Sequence, residues 1–285
     1  MKHPTHVLYN PTGVAIAERV FLTVWTALAS WHSDLVLVGG LVPRYLCGEI
    51  STKRSLPRPV TLDADLGIAL GASLGQYGTL RTDLQAHGFQ LSTPPSGGSR
   101  FLKTVGAFTI PVDFLAERPP ATRGTVMVDD APSTILPGID RALASARTIR
   151  VNGTDLYDTV HEDLPIRVCE AGPFLVMKLR AFANRQAPKD AFDILYTLLH
   201  YDGGTEAAAA AFGAEGQADN PAFPDAADCL QRHFRDETSA APSRAASFIL
   251  GERRPDEPAD TRLRRLQIQQ DMVDAGRLLT KALSQ

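Results

Sequence analysis

Two aspartates placed two residues apart are the residues of this chain best suited to chemistry. Asp63 and Asp65 lie in the largely apolar run 60–70, which predicts a strand. Side chains at positions i and i+2 of a strand project from one face, so the two carboxylates would lie side by side. Like charges held that close need a cation between them or a raised pKa on one of them. Oxygen ligands suit Mg²⁺ or Mn²⁺, so the pattern indicates a divalent-metal site for phosphoryl or nucleotidyl chemistry. The alternative is a solvated strand end that carries two aspartates.

A glycine pair earlier in the chain has the layout of a phosphate-binding turn. The wholly apolar run 35–38 predicts a buried strand, Gly39-Gly40 end it, and residues 41–46 look helical. Such a turn offers phosphate close backbone approach, free N–H groups and the positive end of a helix dipole. Positive side chains follow the turn and can meet a polyphosphate; they are Arg44, Lys53, Arg54 and Arg58. An ordinary tight turn and a solvated loop are the alternatives.

A third carboxylate lies in another apolar run. Asp113 interrupts residues 108–115, which otherwise read as a buried strand. An aspartate there is costly to bury unless it is paired, hydrogen-bonded or metal-bound. The alternative is that Asp113 turns or caps the end of the strand.

A block of charged residues lies on two later helices. Residues 173–184 predict one helix, and Pro188 fits the first turn of a second that runs to about residue 200. The block comprises Lys178, Arg185, Lys189, Asp190 and Asp193. The alternative is a solvated helix face, with the two aspartates favouring the N-terminal end of their helix.

The order of the elements predicts the fold. Further strands are expected at 88–91, 101–105, 125–128, 148–151 and 166–169, and further helices at 14–31, 71–87, 139–146, 227–237 and 263–283. Residues 202–224 look mostly like a connector, and 239–244 and 251–258 like loops. We therefore predict an α/β (α+β) protein, with a mixed sheet flanked by helices in residues 1–170 and a mainly helical domain in residues 171–285.

Composition excludes several classes of protein. Among 285 residues, 44% are hydrophobic and 21% are charged, as in soluble globular proteins. A formal net charge of −3 gives no global basic field for nucleic acid. Three scattered cysteines show neither metal-ligand spacing nor a disulfide framework, which favours a reducing cytoplasm. No signal peptide and no uncharged apolar run of about 18 residues is present, so no membrane partner is expected.

Taken in order, these features resemble the AbiEii-type branch of the polymerase-β-like nucleotidyltransferase superfamily, which includes toxins of toxin–antitoxin and phage-defence systems. The resemblance covers residues 36–199. Its most specific parts are the paired aspartates after the glycine turn and the Lys…Arg…Lys-Asp-x-x-Asp block. It implies a nucleotidyltransferase-type sheet in which Asp63, Asp65 and Asp113 hold the metals. It also implies that nucleotide phosphates meet the glycine turn and that Lys178 and the later block complete the site.

The implied reaction is Mg²⁺- or Mn²⁺-dependent transfer of a nucleoside monophosphate from an NTP to an acceptor hydroxyl. The resemblance implies an RNA acceptor, in particular tRNA, and a cognate antitoxin as partner. In such a site the carboxylates hold the metals, Asp113 can serve as base, and Lys178 or Lys189 neutralises the triphosphate. Transfer to a small molecule or a protein, or a nucleotide-binding regulatory module without turnover, are the alternatives. One departure is the Gly39-Gly40 turn, because many superfamily members have Gly-Ser there.

Overall fold

The computed structural model describes residues 3–48, 56–71, 79–93 and 98–284. The chain divides into two compact units. The sheet unit comprises Asn10–Val42 and Val60–Glu170, and the helical unit comprises Met1–Tyr9, Pro43–Pro59 and Ala171–Gln285. The junction after Glu170 lies where the sequence predicts a boundary. Two earlier segments nevertheless belong to the helical unit: Cys47 forms an antiparallel bridge with Tyr201, and the rings of His6 and Tyr9 contact Phe248.

The sheet unit contains a mixed sheet of nine strands, which confirms the predicted α/β class. The strands are β1 (Leu35–Val38), β2 (Ala64–Ile68), β3 (Gln90–Ser92), β4 (Arg100–Val105), β5 (Phe108–Ala116), β6 (Thr125–Val128), β7 (Ala131–Ile135), β8 (Arg147–Thr154) and β9 (Val160–Val168). Their order is β3-β4-β5-β2-β1-β9-β8, and β7 pairs with both β5 and β6. β2 runs parallel to β5 and antiparallel to β1, which places β2 in the middle of the sheet.

Helices flank this sheet. They are α1 (Pro11–Ala27), α3 (Leu80–Ala86) and α4 (Ile139–Ala144), while the short helix α2 (Val42–Leu46) lies where the chain passes from the sheet unit into the helical unit. Helix α1 begins where Asn10 Oδ1 accepts hydrogen bonds from the N–H groups of Thr12 and Gly13, with Pro11 at its first position. Its apolar face packs on β2, β5 and β8, while α4 packs on β1, β2 and β5. The strands are thus buried by helices rather than by a second sheet.

The helical unit is built from α5 (Ala171–Arg185), α6 (Pro188–His200), α7 (Thr205–Ala214), α8 (Phe223–His233), α9 (Ala240–Leu250) and α10 (Ala259–Ala282). Helix α5 packs against α6, α7 and α8, and α9 packs against α6 and α10. The rings of Phe192 and Phe248, tilted by 35° with centroids 4.9 Å apart, join α6 to α9. None of the described helices is long and apolar enough to cross a membrane.

Several predicted boundaries differ from the structure. The loop predicted at 239–244 is wrong, because Ala241, Ala245 and Phe248 form a buried face of α9. The helix predicted at 14–31 ends at Ala27 and gives way to a 3-10 segment, Ala29–Asp34. Helix α7 occupies most of the first half of the supposed connector 202–224, and β7 had not been predicted. Residues 72–78 of the helix predicted at 71–87 lie outside the described residues, as do Lys53 and Arg54.

Candidate functional site

The sheet places two of the predicted carboxylates next to each other. Asp65 of β2 is the register partner of Asp113 of β5 in a parallel ladder. Register partners on neighbouring strands project from the same face of a sheet. On that face a Cβ at Gly67 would lie 3.3 Å from Ile139 of α4. Helix α4 therefore covers the face further along β2, while Asp65 and Asp113 remain only half-buried.

An arginine on the next strand continues this line of charges. Phe101 of β4 pairs with Val112 of β5 in antiparallel register, which puts Arg100 opposite Asp113. Arg100 Nη2 donates a hydrogen bond to Asp113 Oδ2 at 2.9 Å. We call Arg100, Asp113 and Asp65 the carboxylate row. Arg100 is not among the predicted site residues. Its place at the start of an apolar strand, next to the strand of Asp113, was a usable signal.

Asp63 lies just outside the strand. β2 begins at Ala64, so the prediction that one strand holds Asp63 and Asp65 side by side is wrong. The Thr61 hydroxyl donates a short hydrogen bond to Asp63 Oδ1 and orients that carboxylate. Thr61 is 2% exposed and was not predicted as a site residue. The position of Asp63 is therefore set by the segment that leads into β2 and not by the two-residue repeat of a strand.

The charges around Asp113 act on its pKa in opposite directions. Burial raises the pKa of this carboxyl above its usual value, Arg100 opposes the shift, and the negative charge of Asp63 adds to it. Asp63 is thus close enough to Asp113 to repel it. The set contains three carboxylates and one guanidinium, which pairs with Asp113.

The glycine turn lies against the carboxylate row. Val38 of β1 is the register partner of Asp65, and Gly39 follows it directly. Gly39 has a φ of 73°, and a Cβ there would lie 2.0 Å from Asp65 Oδ2. Glycine is required at this position by both the left-handed backbone and the close approach. The buried Gly40 continues into a 3-10 segment, Gly39–Leu41. The structure therefore brings together the glycine turn and Asp65, which are distant in sequence.

The donor set has the chemistry of a divalent-cation site. Carboxylate oxygens are the ligands that Mg²⁺ and Mn²⁺ prefer, and a cation would relieve the repulsion between Asp63 and Asp113. Within the described residues, no group of three or more His, Cys, Asp or Glu side chains is arranged to hold a metal ion. The side chain that neutralises Asp113 in this arrangement is Arg100. The ligand types fit the predicted metals, and the arginine contacts one of them, Asp113.

The charged block of α5 and α6 lies within the helical unit and is largely buried. Lys178 and Lys189 both donate to Asp193 Oδ2, at 2.7 and 2.6 Å. Lys178 Nζ also lies 3.4 Å from Asp190 Oδ1 and 5.7 Å from the centre of the Phe174 ring. Burial alone would lower the pKa of Lys178, but Asp193 and Asp190 outweigh it and raise the pKa above its usual value. Lys178 is therefore held as an ammonium by its neighbours.

Arg185 completes this block. Its Nε and Nη2 donate to the two oxygens of Asp190 at 2.6 and 2.8 Å, a bidentate contact. Asp190 and Asp193 are fully buried, whereas the Arg185 side chain is 46% exposed. We call the set of five the lysine–aspartate network; it consists of Lys178, Arg185, Lys189, Asp190 and Asp193. The alternative of a solvated helix face is wrong for its four buried members, and their role in completing the nucleotide site stays a prediction.

Two of the other predicted cations also belong to the helical unit. Arg44 Nη1 donates to the carbonyl oxygen of Pro59 at 2.9 Å. Arg44 and Arg58 both act electrostatically on Tyr196, whose pKa burial raises and the two arginines lower. These arginines therefore lie near a tyrosine of α6.

No family model matches this chain, and no curated protein matches it.

Proposed function

We propose that the sheet unit is the catalytic part of a metal-dependent nucleotidyltransferase. One observation carries the proposal: parallel register places Asp65 beside Asp113 on one face of the sheet, with Gly39 against Asp65. A strand end with two unrelated aspartates would not need a third carboxylate on the neighbouring strand. It also would not need a glycine at the one position where a side chain would strike Asp65. The resemblance of the motif order to AbiEii-type enzymes supports the same proposal.

The proposed roles follow from position and charge. Asp63, Asp65 and Asp113 hold Mg²⁺ or Mn²⁺, which when bound supplies electrostatic stabilisation of the transferring phosphoryl group. The N–H groups of the Gly39-Gly40 turn face the nucleotide phosphates, where backbone donors need no side chain. Asp113, which burial and Asp63 make a stronger base, accepts the proton of the attacking hydroxyl. Thr61 orients Asp63.

We propose RNA, with tRNA as the first candidate, as the acceptor, and a toxin role with a cognate antitoxin. The support for both is the resemblance to AbiEii-type toxins. A small molecule or a protein hydroxyl is the alternative acceptor, and a net charge of −3 keeps it open.

The deciding experiment is incubation of the full chain with each radiolabelled NTP, Mg²⁺ and total RNA. Asp65→Ala is the test variant. Asp158→Asn is the matched control in the same unit, because that carboxylate is 86% exposed and its φ of 59° suits asparagine. We expect label in RNA with the wild type and the control, and a loss of about 100-fold or more with Asp65→Ala.

Two other outcomes would contradict the proposal. Equal labelling by wild type and Asp65→Ala would place the activity elsewhere. Nucleotide binding without label in any RNA, protein or small-molecule fraction would indicate the regulatory module instead.

A further inference from the structure

Arg100 supplies a positive charge to the carboxylate row. Its guanidinium donates to Asp113 Oδ2, on the side of Asp113 opposite to Asp65. The Asp113 side chain is 16% exposed, so little water reaches it to compensate its charge. Asp63 adds repulsion. Arg100 is the cationic side chain that pairs with Asp113.

A divalent cation and Arg100 compete for the negative charge of Asp113. A carboxylate oxygen that accepts a charge-assisted hydrogen bond has less electron density to give to a metal. The positive guanidinium also repels an approaching cation, and at a few ångströms in a half-buried site this repulsion is appreciable. Metal binding by the row therefore weakens the Arg100 contact.

The guanidinium of Arg100 can move and contact another partner once it leaves Asp113. The Arg100 side chain is 41% exposed, and Arg100 is the first residue of its strand, so it is not confined by packing. A planar guanidinium with several donors matches phosphate oxygens. A nucleotide triphosphate bound at the row would bring such oxygens close to Arg100, because its phosphates must reach the metal that Asp113 holds.

We propose that Arg100 is a positioning residue that exchanges partners. When no metal is bound, Arg100 hydrogen-bonds to Asp113. When a cation binds Asp113, Arg100 releases this carboxylate and binds the nucleotide phosphates. This inference rests on the proposed nucleotidyltransferase function. It assigns Arg100 a specific role in that site. Its consequence is that one substitution should move the affinities for metal and for nucleotide in opposite directions.

The experiment measures both affinities on the full chain with Arg100→Gln. Mn²⁺ alone is titrated with detection of free Mn²⁺ by electron paramagnetic resonance. A non-hydrolysable NTP analogue is then titrated at saturating Mn²⁺. We expect Arg100→Gln to bind Mn²⁺ about three- to tenfold more tightly, as expected for the loss of one partly exposed charge contact. We expect the same variant to bind the analogue about tenfold or more weakly, because a phosphate contact is lost.

Controls separate this exchange from general damage. Arg150→Gln changes an exposed arginine of the same unit whose Nη1 donates to the Asp163 carbonyl oxygen, and it should leave both affinities unchanged. Arg100→Lys keeps the charge and should restore part of both effects. Without metal, Arg100→Gln should melt at a lower temperature than wild type, and Mn²⁺ should raise its melting temperature by more. A misfolded variant would lose metal affinity, so tighter Mn²⁺ binding cannot come from misfolding.

The outcomes distinguish the two proposals. If wild type binds Mn²⁺ and Asp65→Asn does not, but Arg100→Gln leaves either affinity unchanged, the exchange is overturned and the proposed function stands. If wild type binds neither Mn²⁺ nor the analogue, both proposals are overturned.

Discussion

The two charged clusters of this protein differ in how their closely spaced charges are balanced and buried. The carboxylate row with Asp63 has an excess of negative charge and is only half-buried. The lysine–aspartate network has three cations for two carboxylates, and four of its five side chains are almost fully buried. Removing ions from water is expensive, and a buried set survives only if its members hold each other closely. The network does so with contacts of 2.6–2.8 Å.

The two clusters also differ in how their charges are paired. In the network Lys178 and Lys189 share one oxygen of Asp193, and among the described residues Asp193 Oδ1 accepts no hydrogen bond. The three cations donate to Asp190 and Asp193 of the same network. In the carboxylate row, Arg100 is the more exposed member of the pair that it forms with Asp113. We therefore propose the row as the cation site, and we expect the network to stabilise the packing of α5 and α6.

The strongest test of this contrast removes one charge from the network. Asp193→Asn leaves two buried ammonium groups without their shared carboxylate, and breaking a buried ion pair costs about 3–5 kcal/mol. The free energy of unfolding in urea should fall by that amount. Asp225→Asn, which changes a 62% exposed partner of Arg180, should cost about 0–1 kcal/mol. A cost for Asp193→Asn no larger than for Asp225→Asn would contradict a structural role for the network.

A smaller effect is expected where the glycine turn meets the row. Gly39→Ala introduces left-handed strain and a methyl group 2.0 Å from Asp65 Oδ2. Gly98→Ala is the matched control, because Gly98 has a φ of 76° but a Cβ there meets no atom of the described residues within 4 Å. Strain alone costs about 1–2 kcal/mol in both variants. Overlap should add about 1–3 kcal/mol in Gly39→Ala and weaken Mn²⁺ binding. Equal unfolding free energies and equal Mn²⁺ affinities would show that Asp65 can move aside freely.

The smallest effect concerns pH. Asp193 and Asp190 raise the pKa of Lys178 above its usual value of 10.5. The folded state therefore retains the proton of this ammonium group to a higher pH than the unfolded state does. The stabilisation that Lys178 contributes is therefore complete below about pH 10.5 and declines only at higher pH. The difference in unfolding free energy between wild type and Lys178→Met should be constant from pH 6 to about pH 10. A decline between pH 7 and pH 9 would mean that the ammonium is not held by these carboxylates.

Local sequence signals predicted several elements of this fold. The apolar run that became β1, the glycine pair after it and Pro188 at the start of α6 are such cases. Helix α9 was missed because small residues such as Ala241 and Ala245 give little periodic contrast, and packing against α6 and α10 decides their state. Strand β7 was missed because Pro132 and Ser133 argue against a strand.

The candidate site was predictable in its residue types but not in its pairings. The period-two rule put Asp63 and Asp65 on one strand, whereas β2 begins between them. The partner of Asp65 is Asp113, and nothing in the order of residues along the chain specifies that β5 lies next to β2. Arg100 was missed for the same reason, since its importance comes from the residue opposite to it.

The β4–β5 hairpin sets that opposition by its length. Val105 pairs with Phe108, so the loop consists of Gly106 and Ala107, and the pairing proceeds outward from there to Phe101 and Val112. One residue more or fewer in this loop would shift the register and turn either Arg100 or Asp113 to the other face of the sheet. The length of the β4–β5 loop thus determines whether the Arg100 guanidinium and the Asp113 carboxylate meet. An insertion in that loop would separate these two charges, although no residue of the site itself would be altered.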